Sequence, residues 1–281
     1  RYIYRTGDES RVYFKNHGNL SNINYTNLIK LRSMKKRAIN VDLDVNWTSP
    51  ILYYIDKKLN SKRILQVLKY IQENTCIKFL EGPPTNQGKT RLIYVKKNFC
   101  SSLIGKALYE YQDTDVWLTD YCASNFGMVG HETLHALGLR HEHQRHDRDN
   151  FVEIYNENIP PSFLDESKTI YSRNFETFDI PYDYGSIMHY AGKLVETNGK
   201  IFMKVKNIDP YNEMIGQIDM FSFNDIKLIN HYYCSKNCSM SQHKCKNGGY
   251  IHWYQCGTCI CPKGYYGRDC GYFKQISNYC G

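Results

Sequence analysis

Apolar and polar positions divide the chain into stretches of different texture. Between Ser61 and about Asn74, Ile64, Leu68 and Ile71 recur at i, i+4 and i+7, which predicts an amphipathic helix with Ser61 as its cap. Alternating or β-rich runs flank it at Ile51–Ile55, Arg91–Val95 and Asp115–Leu118, and these predict strands. A second helix is expected from near Asn125 to Gly138. A third starts at Ser222, where Ser222-Phe223-Asn224-Asp225 has the form of a capping box with Asp in place of Glu. The stretch from about Asn150 to Glu213 has no clear period and is expected to be loop-rich. The pattern predicts an α+β fold with a sheet in the first half and little regular structure in the second.

The same texture sets the expected divisions. Residues 1–37 are basic, rich in Asn and weakly periodic, and end in Met34-Lys35-Lys36-Arg37 before a new block opens at Ala38-Ile39-Asn40. This predicts a pro-peptide over 1–37, removed by cleavage after Arg37. Residues 38–234 form the main body, 235–270 a cysteine-dense module and 271–281 a short tail. The chain opens on Arg1 with neither an initiator Met nor a signal-peptide core, as expected of a precursor whose targeting segment has been removed or was never included. No run of eighteen apolar residues suggests a membrane span.

Charge and cysteine content narrow the function classes. The net charge is +8, but nine basic and two acidic side chains in residues 1–37 account for +7 of it. The remainder is nearly balanced and offers no electrostatic footprint for nucleic acid. Eleven cysteines, six of them between Cys238 and Cys270, exceed what a reduced cytosolic protein of this size carries. Together with Asn-x-Ser/Thr triplets at Asn19, Asn24 and Asn46 they point to a secreted, extracellular protein.

Candidate chemistry lies in residues 131–141, His-Glu-Thr-Leu-His-Ala-Leu-Gly-Leu-Arg-His. On a helix, His131 and His135 stand one above the other, their Cβ atoms about 5–6 Å apart, so both imidazoles reach one ion. Glu132 lies one step round, placed for a general base rather than a ligand. Gly138 admits the left-handed conformation that ends a helix and turns His141 back as a third ligand. Three protein ligands leave a coordination position open, as catalytic and not structural zinc requires. A lone HExxH recurs by chance on helices; the Gly and third His at these offsets set this one apart.

The pattern His131-Glu132-x-x-His135-x-x-Gly138-x-x-His141 is that of the metzincins, and the following Glu142-His143-Gln144-Arg145-His146-Asp147-Arg148-Asp149 resembles the astacin family. Residues 182–190, Tyr-Asp-Tyr-Gly-Ser-Ile-Met-His-Tyr, carry a second signature. The resemblance covers roughly Ala38 to Cys234 and implies a two-subdomain zinc protease. It implies Met188 as the Met-turn residue under the metal, Tyr190 as a fifth zinc ligand and transition-state donor, and disulfides Cys76–Cys234 and Cys100–Cys122. It also implies that Ala38, once freed, places its amine near Glu142, and that substrate adds along an edge strand near Cys100–Gly105. Asp8 in Arg5-Thr6-Gly7-Asp8 matches the family's pro-peptide zinc ligand, although Arg5 takes the place of an aromatic residue. Leu139-Arg140 replaces the usual aromatic pair, and Gly130 stands where a larger apolar residue is common.

Cys238, Cys245, Cys256, Cys259, Cys261 and Cys270, with Lys246-Asn247-Gly248-Gly249 and Pro262-Lys263-Gly264-Tyr265-Tyr266-Gly267, resemble an EGF-like module. Six cysteines leave fifteen connectivities open. Cys280 is either the start of a truncated CUB domain, an intermolecular link or a free thiol. The expectation is a secreted zinc-dependent endopeptidase with one catalytic Zn²⁺, latent until cleaved after Arg37. Its expected partners are extracellular protein substrates, its own pro-peptide, and matrix or membrane proteins met through the EGF-like module, with no nucleic acid and no membrane insertion. The alternative is a catalytically silent adhesion protein acting through that module.

Overall fold

The computed structural model describes residues 39–40, 46–83, 85, 88–109, 112–170, 175–193 and 199–274. The segment 1–37 with Asp8 and Arg37, Ala38, and the tail with Cys280 lie outside the described residues.

A two-residue strand, Ile39–Asn40 (β1), precedes Ile51–Ile55 (β2) and the helix Ser61–Asn74 (α1). Ile64, Val67, Leu68 and Ile71 form the buried stripe of α1. Its cap is Asn60 and not Ser61: the Asn60 side chain accepts from Lys62 N–H, and Ser61 is the first helical residue. The Asx carbonyl satisfies an amide that the helix itself leaves open.

After α1 come Phe79–Glu81 (β3), Leu92–Lys96 (β4), Ser101–Ser102 (β5) and Thr114–Leu118 (β6). With β2 they form one sheet in the order β3-β2-β4-β6-β5. Its first four strands are parallel, and β5 closes the edge antiparallel to β6. Two helices follow, Asp120–Ser124 (α2) and Phe126–Ala136 (α3), and both α1 and α3 pack into the core that covers this sheet. From Gly127 to Ala136 every residue of α3 is buried. The helix is thus enclosed all round, and its polar residues His131, Glu132, Thr133 and His135 are buried with the apolar ones.

The second half holds short elements, as its lack of periodicity predicts: Val152–Ile154 (β7), Leu164–Ser167 (α4), Phe175–Glu176 (β8) and Met203–Val205 (β9). Strand β7 pairs with β9, and β1 pairs with β8. A separate core forms there from Val152, Phe163, Tyr182, Tyr190, Phe202 and Val205, among others. The fold is thus α+β with two subdomains, one core under the sheet and one under the loops.

The helix Phe223–Ile229 (α5) begins at the expected capping box, with Ser222 and Asp225 bonding each other's backbone amides. Beyond it lie two small hairpins, Tyr250–Ile251 (β10) with Cys259–Ile260 (β11), and Tyr265–Tyr266 (β12) with Tyr272–Phe273 (β13). Disulfides join Cys76 to Cys234 and Cys100 to Cys122 in the body. In the C-terminal region they join Cys238 to Cys256, Cys245 to Cys259 and Cys261 to Cys270, one of the fifteen arrangements left open by sequence. That region docks on the body through Tyr250, whose ring meets Phe223 at 5.4 Å, and through Lys227 Nζ donating to Gly248 O.

Candidate metal centre

Helix α3 starts where Asn125 Oδ1 accepts from Met128 N–H, and ends just after the second histidine of the motif. Gly138 adopts φ +103°, so Gly138 N–H bonds His135 O and Leu139 N–H bonds Leu134 O. This pair of bonds is a Schellman motif, and it reverses the chain as the glycine reading required. His141 returns onto the face that carries His131 and His135.

The three imidazoles meet. His135 Nε2 lies 3.0 Å from His141 Nε2, and His141 Nε2 lies 3.3 Å from His131 Nε2. The opposite nitrogens of two rings are fixed: His131 Nδ1–H donates to Ile187 O at 2.8 Å, and His135 Nδ1–H donates to Leu139 O at 2.7 Å. Each Nε2 therefore carries a lone pair, and lone pairs turned toward one another need a cation between them. Burial keeps the rings neutral: it is the largest cause pushing His131 down to about 4 and holding His135 and His141 well below the ordinary histidine value. Among the described residues these three side chains form a cluster fit for one metal ion. A neutral, buried, all-imidazole set of three suits zinc with a position left open.

Glu132 is buried on α3 beside this cluster, and burial pushes its carboxyl up to about 8. Tyr190 packs its ring 4.2 Å from His141 and 4.4 Å from His143. Met188 is buried in the 182–190 turn, and its carbonyl accepts from Glu142 N–H, which ties the turn to the third histidine. Asp225 holds the turn from below. Its carboxylate accepts from Ser186 Oγ at 2.6 Å and Ile187 N at 3.1 Å as well as from Ser222 N at 2.8 Å. Glu142 accepts from Arg145 Nη1 and Asp183 N, both at 2.9 Å, yet burial still pushes it up to about 7.

The geometry accounts for the small residue at 130. A Cβ there would lie 2.9 Å from the Phe221 ring, which fills the space a larger side chain would take. Residues that motif reading did not single out also surround the cluster. Asp225 was visible only as a helix cap, and Glu166, near His141, lies in the aperiodic stretch with no sequence signal at all.

A buried three-histidine centre on a helix that ends in a glycine turn, backed by a Met-containing turn, defines a zinc peptidase of the metzincin type. The chain belongs to the astacin family of peptidases, whose model matches residues 40–234. It is 34% identical over 251 residues to zinc metalloproteinase nas-34 of Caenorhabditis elegans, covering 88% of this chain and 40% of that protein. It is 35% identical over 257 residues to zinc metalloproteinase dpy-31 of Haemonchus contortus, covering 88% and 45%. The chain thus spans less than half the length of these relatives. Among solved structures it resembles high choriolytic enzyme 1, a hatching enzyme zinc-protease from Oryzias latipes. There the TM-score is 0.60 at 25% identity, over 70% of this chain and 98% of that one.

Proposed function

We propose that this chain is a zinc metalloendopeptidase acting on extracellular proteins and made as a latent precursor. The observation that carries the reading is the convergence of three neutral imidazoles on one point beside a buried carboxyl. His131, His135 and His141 hold zinc, which when bound supplies Lewis acidity toward water and the scissile carbonyl. Glu132 takes a proton from the attacking water and passes it to the amide nitrogen as the C–N bond breaks, leaving a carboxylate and an amine. A carboxyl whose burial raises its proton affinity is suited to both halves of that transfer. Tyr190, held against His141, serves as a further ligand and then as hydrogen-bond donor to the developing oxyanion. Met188 forms the apolar floor of the site. Substrate adds as a strand to β5, the antiparallel edge beside α3.

Latency rests on Glu142. Glu142, Asp147 and Asp225 are buried and Asp183 adds a further carboxylate, against two guanidinium groups: Arg145, paired with Glu142 and Asp147, and Arg140, which lines the same cavity, so negative charge is in excess. Cleavage after Arg37 supplies the missing cation as the Ala38 amine. Ile39 is fully buried and bridges to Leu139, which lines the same cavity as Glu142 and Asp183. Before cleavage, Asp8 serves as a zinc ligand of the latent form, the role its match to the family's pro-peptide motif implies. The five disulfides among the described residues favour an oxidising, extracellular setting, and none of the described helices is long and apolar enough to cross a membrane. The region after Cys234 acts as an EGF-like contact module, in keeping with its first-to-third, second-to-fourth and fifth-to-sixth pairing.

The test compares hydrolysis of a quenched fluorogenic peptide library by protein cleaved after Arg37, by Glu132→Gln and by chelator-treated protein. Cleavage that needs both the metal and Glu132 is expected. Zinc-loaded, processed protein that hydrolyses nothing would sink the reading in favour of an adhesion role.

A further inference from the structure

His131 and His135 each anchor Nδ1 on a backbone carbonyl, whereas His141 presents Nδ1 to a side chain, Glu166 Oε2 at 3.7 Å. Ligand histidines owe their ring orientation and basicity to such partners, and a carboxylate is a stronger one than a carbonyl. Glu166 is also built into place. Its carbonyl receives two buried donors, His143 Nε2–H at 3.0 Å and Gln144 Nε2–H at 3.1 Å. The next carbonyl, Ser167 O, receives Arg148 Nη1–H, and Ile170 N–H returns to Gln144 O at 2.8 Å. Three side chains from the segment just after the third histidine thus clamp residues 166–167 beside it.

Arg140, next to His141 in the same turn, lies within electrostatic range of this carboxylate. Arg140 stands where the family usually places an aromatic residue, so a cation in the ligand-bearing turn is matched by an anion from α4.

We propose that Glu166 is a positioning residue: its carboxylate, 3.7 Å from His141 Nδ1, takes up that N–H when the ring turns to zinc and fixes it there. This inference rests on the zinc peptidase reading and adds to it a third anchor for the metal set. It gives His143 and Gln144 a specific task, since they set the backbone from which the carboxylate reaches.

The test measures zinc affinity of the full chain by competition with a fluorescent chelator, in wild type, Glu166→Ala, Glu166→Gln, Arg140→Ala and Asp165→Asn. Loss of a ligand's hydrogen-bond partner weakens metal binding by about 10–100-fold, and Glu166→Ala is expected in that range. Glu166→Gln keeps an acceptor oxygen without the charge and is expected between wild type and Glu166→Ala. Arg140→Ala is expected to shift affinity in the same direction by less. The neighbouring Asp165→Asn, whose side chain is solvent-exposed, is expected to leave it unchanged, as a merely structural role for α4 would not distinguish the two positions. Circular dichroism checks folding. Folded Glu166→Ala with wild-type zinc affinity overturns the proposal; should that variant fail to fold, wild-type affinity in Glu166→Gln overturns it. Wild-type protein that binds no zinc would instead refute the underlying peptidase reading, before any variant is compared.

Discussion

Replacing Asp225 with alanine removes one carboxylate that serves three hydrogen bonds in two elements. Ser222 N–H loses its partner in the α5 cap, which costs about 1 kcal/mol. Ser186 Oγ–H and Ile187 N–H lose theirs inside the protein, at about 1–3 kcal/mol for each buried donor left unmet. The gross loss is about 3–7 kcal/mol, a large share of the stability of an ordinary domain. Part of it is returned, because burial and the nearby Asp183 push the Asp225 carboxyl up to about 6. A carboxyl raised in the folded state stabilises fully below its unfolded value near 3.9, and that contribution is lost as pH rises through about 6. The penalty of Asp225→Ala is therefore larger in acid than at neutral pH. We expect about 3 kcal/mol at pH 5 and less at pH 7, read from urea midpoints at both values. The same variant should bind zinc more weakly, since Ile187 O holds His131. A penalty below about 1 kcal/mol at pH 5, or one that grows toward pH 7, would refute the reasoning.

Three further outcomes are expected. Both Gly127→Ala and Gly130→Ala gain about 1 kcal/mol of helix propensity. A Cβ at 127 would meet Ile218 O at 1.8 Å, against a ring atom of Phe221 at 2.9 Å for 130, so melting temperature should fall far more for Gly127→Ala. By loop entropy, losing Cys76–Cys234, separated by 158 residues, costs about 5 kcal/mol, and losing Cys100–Cys122, separated by 22, about 3.4; denaturation of the paired Cys→Ala variants reads the order. Burial, aided by Lys227, pushes His231 down to about 4. Its contribution is intact above about 6.5 and lost as pH falls toward 4, about 2 kcal/mol between pH 7 and 5. His231→Gln should lose that increment, and an unchanged pH slope in urea melts would count against it.

Much of this molecule can be read from local pattern. The stripe on α1, the Ser222–Asp225 cap and the eleven residues from His131 to His141 carry their geometry within one or two turns, where spacing alone decides which side chains meet. Ser61 misled as a cap because the adjacent Asn60 caps first, taking the Lys62 amide and starting the helix one residue earlier. What pattern could not supply depends on closures across long stretches of chain. The antiparallel turn-back of β5, the second core beneath aperiodic loops and the approach of Glu166 to His141 join residues whose separation leaves no period. Asp225 shows both sides: its role toward Ser222 is local, and its role toward Ser186 and Ile187 spans almost forty residues.

The end of the metal-bearing helix joins distant parts of the chain. Beyond its Schellman turn, its last carbonyls are met from elsewhere: His135 O by Gly105 N, Ala136 O by Trp47 Nε1 and Leu137 O by Tyr233 Oη. Those donors come from the approach to the first sheet strand, from the cleft edge and from the segment after the last helix of the body. The helix can nucleate early, but its final turn is complete only when both ends of the body have arrived. Competence to hold zinc is thereby coupled to closure of the whole body, so a chain truncated before Tyr233 should carry every ligand and still lack a finished site.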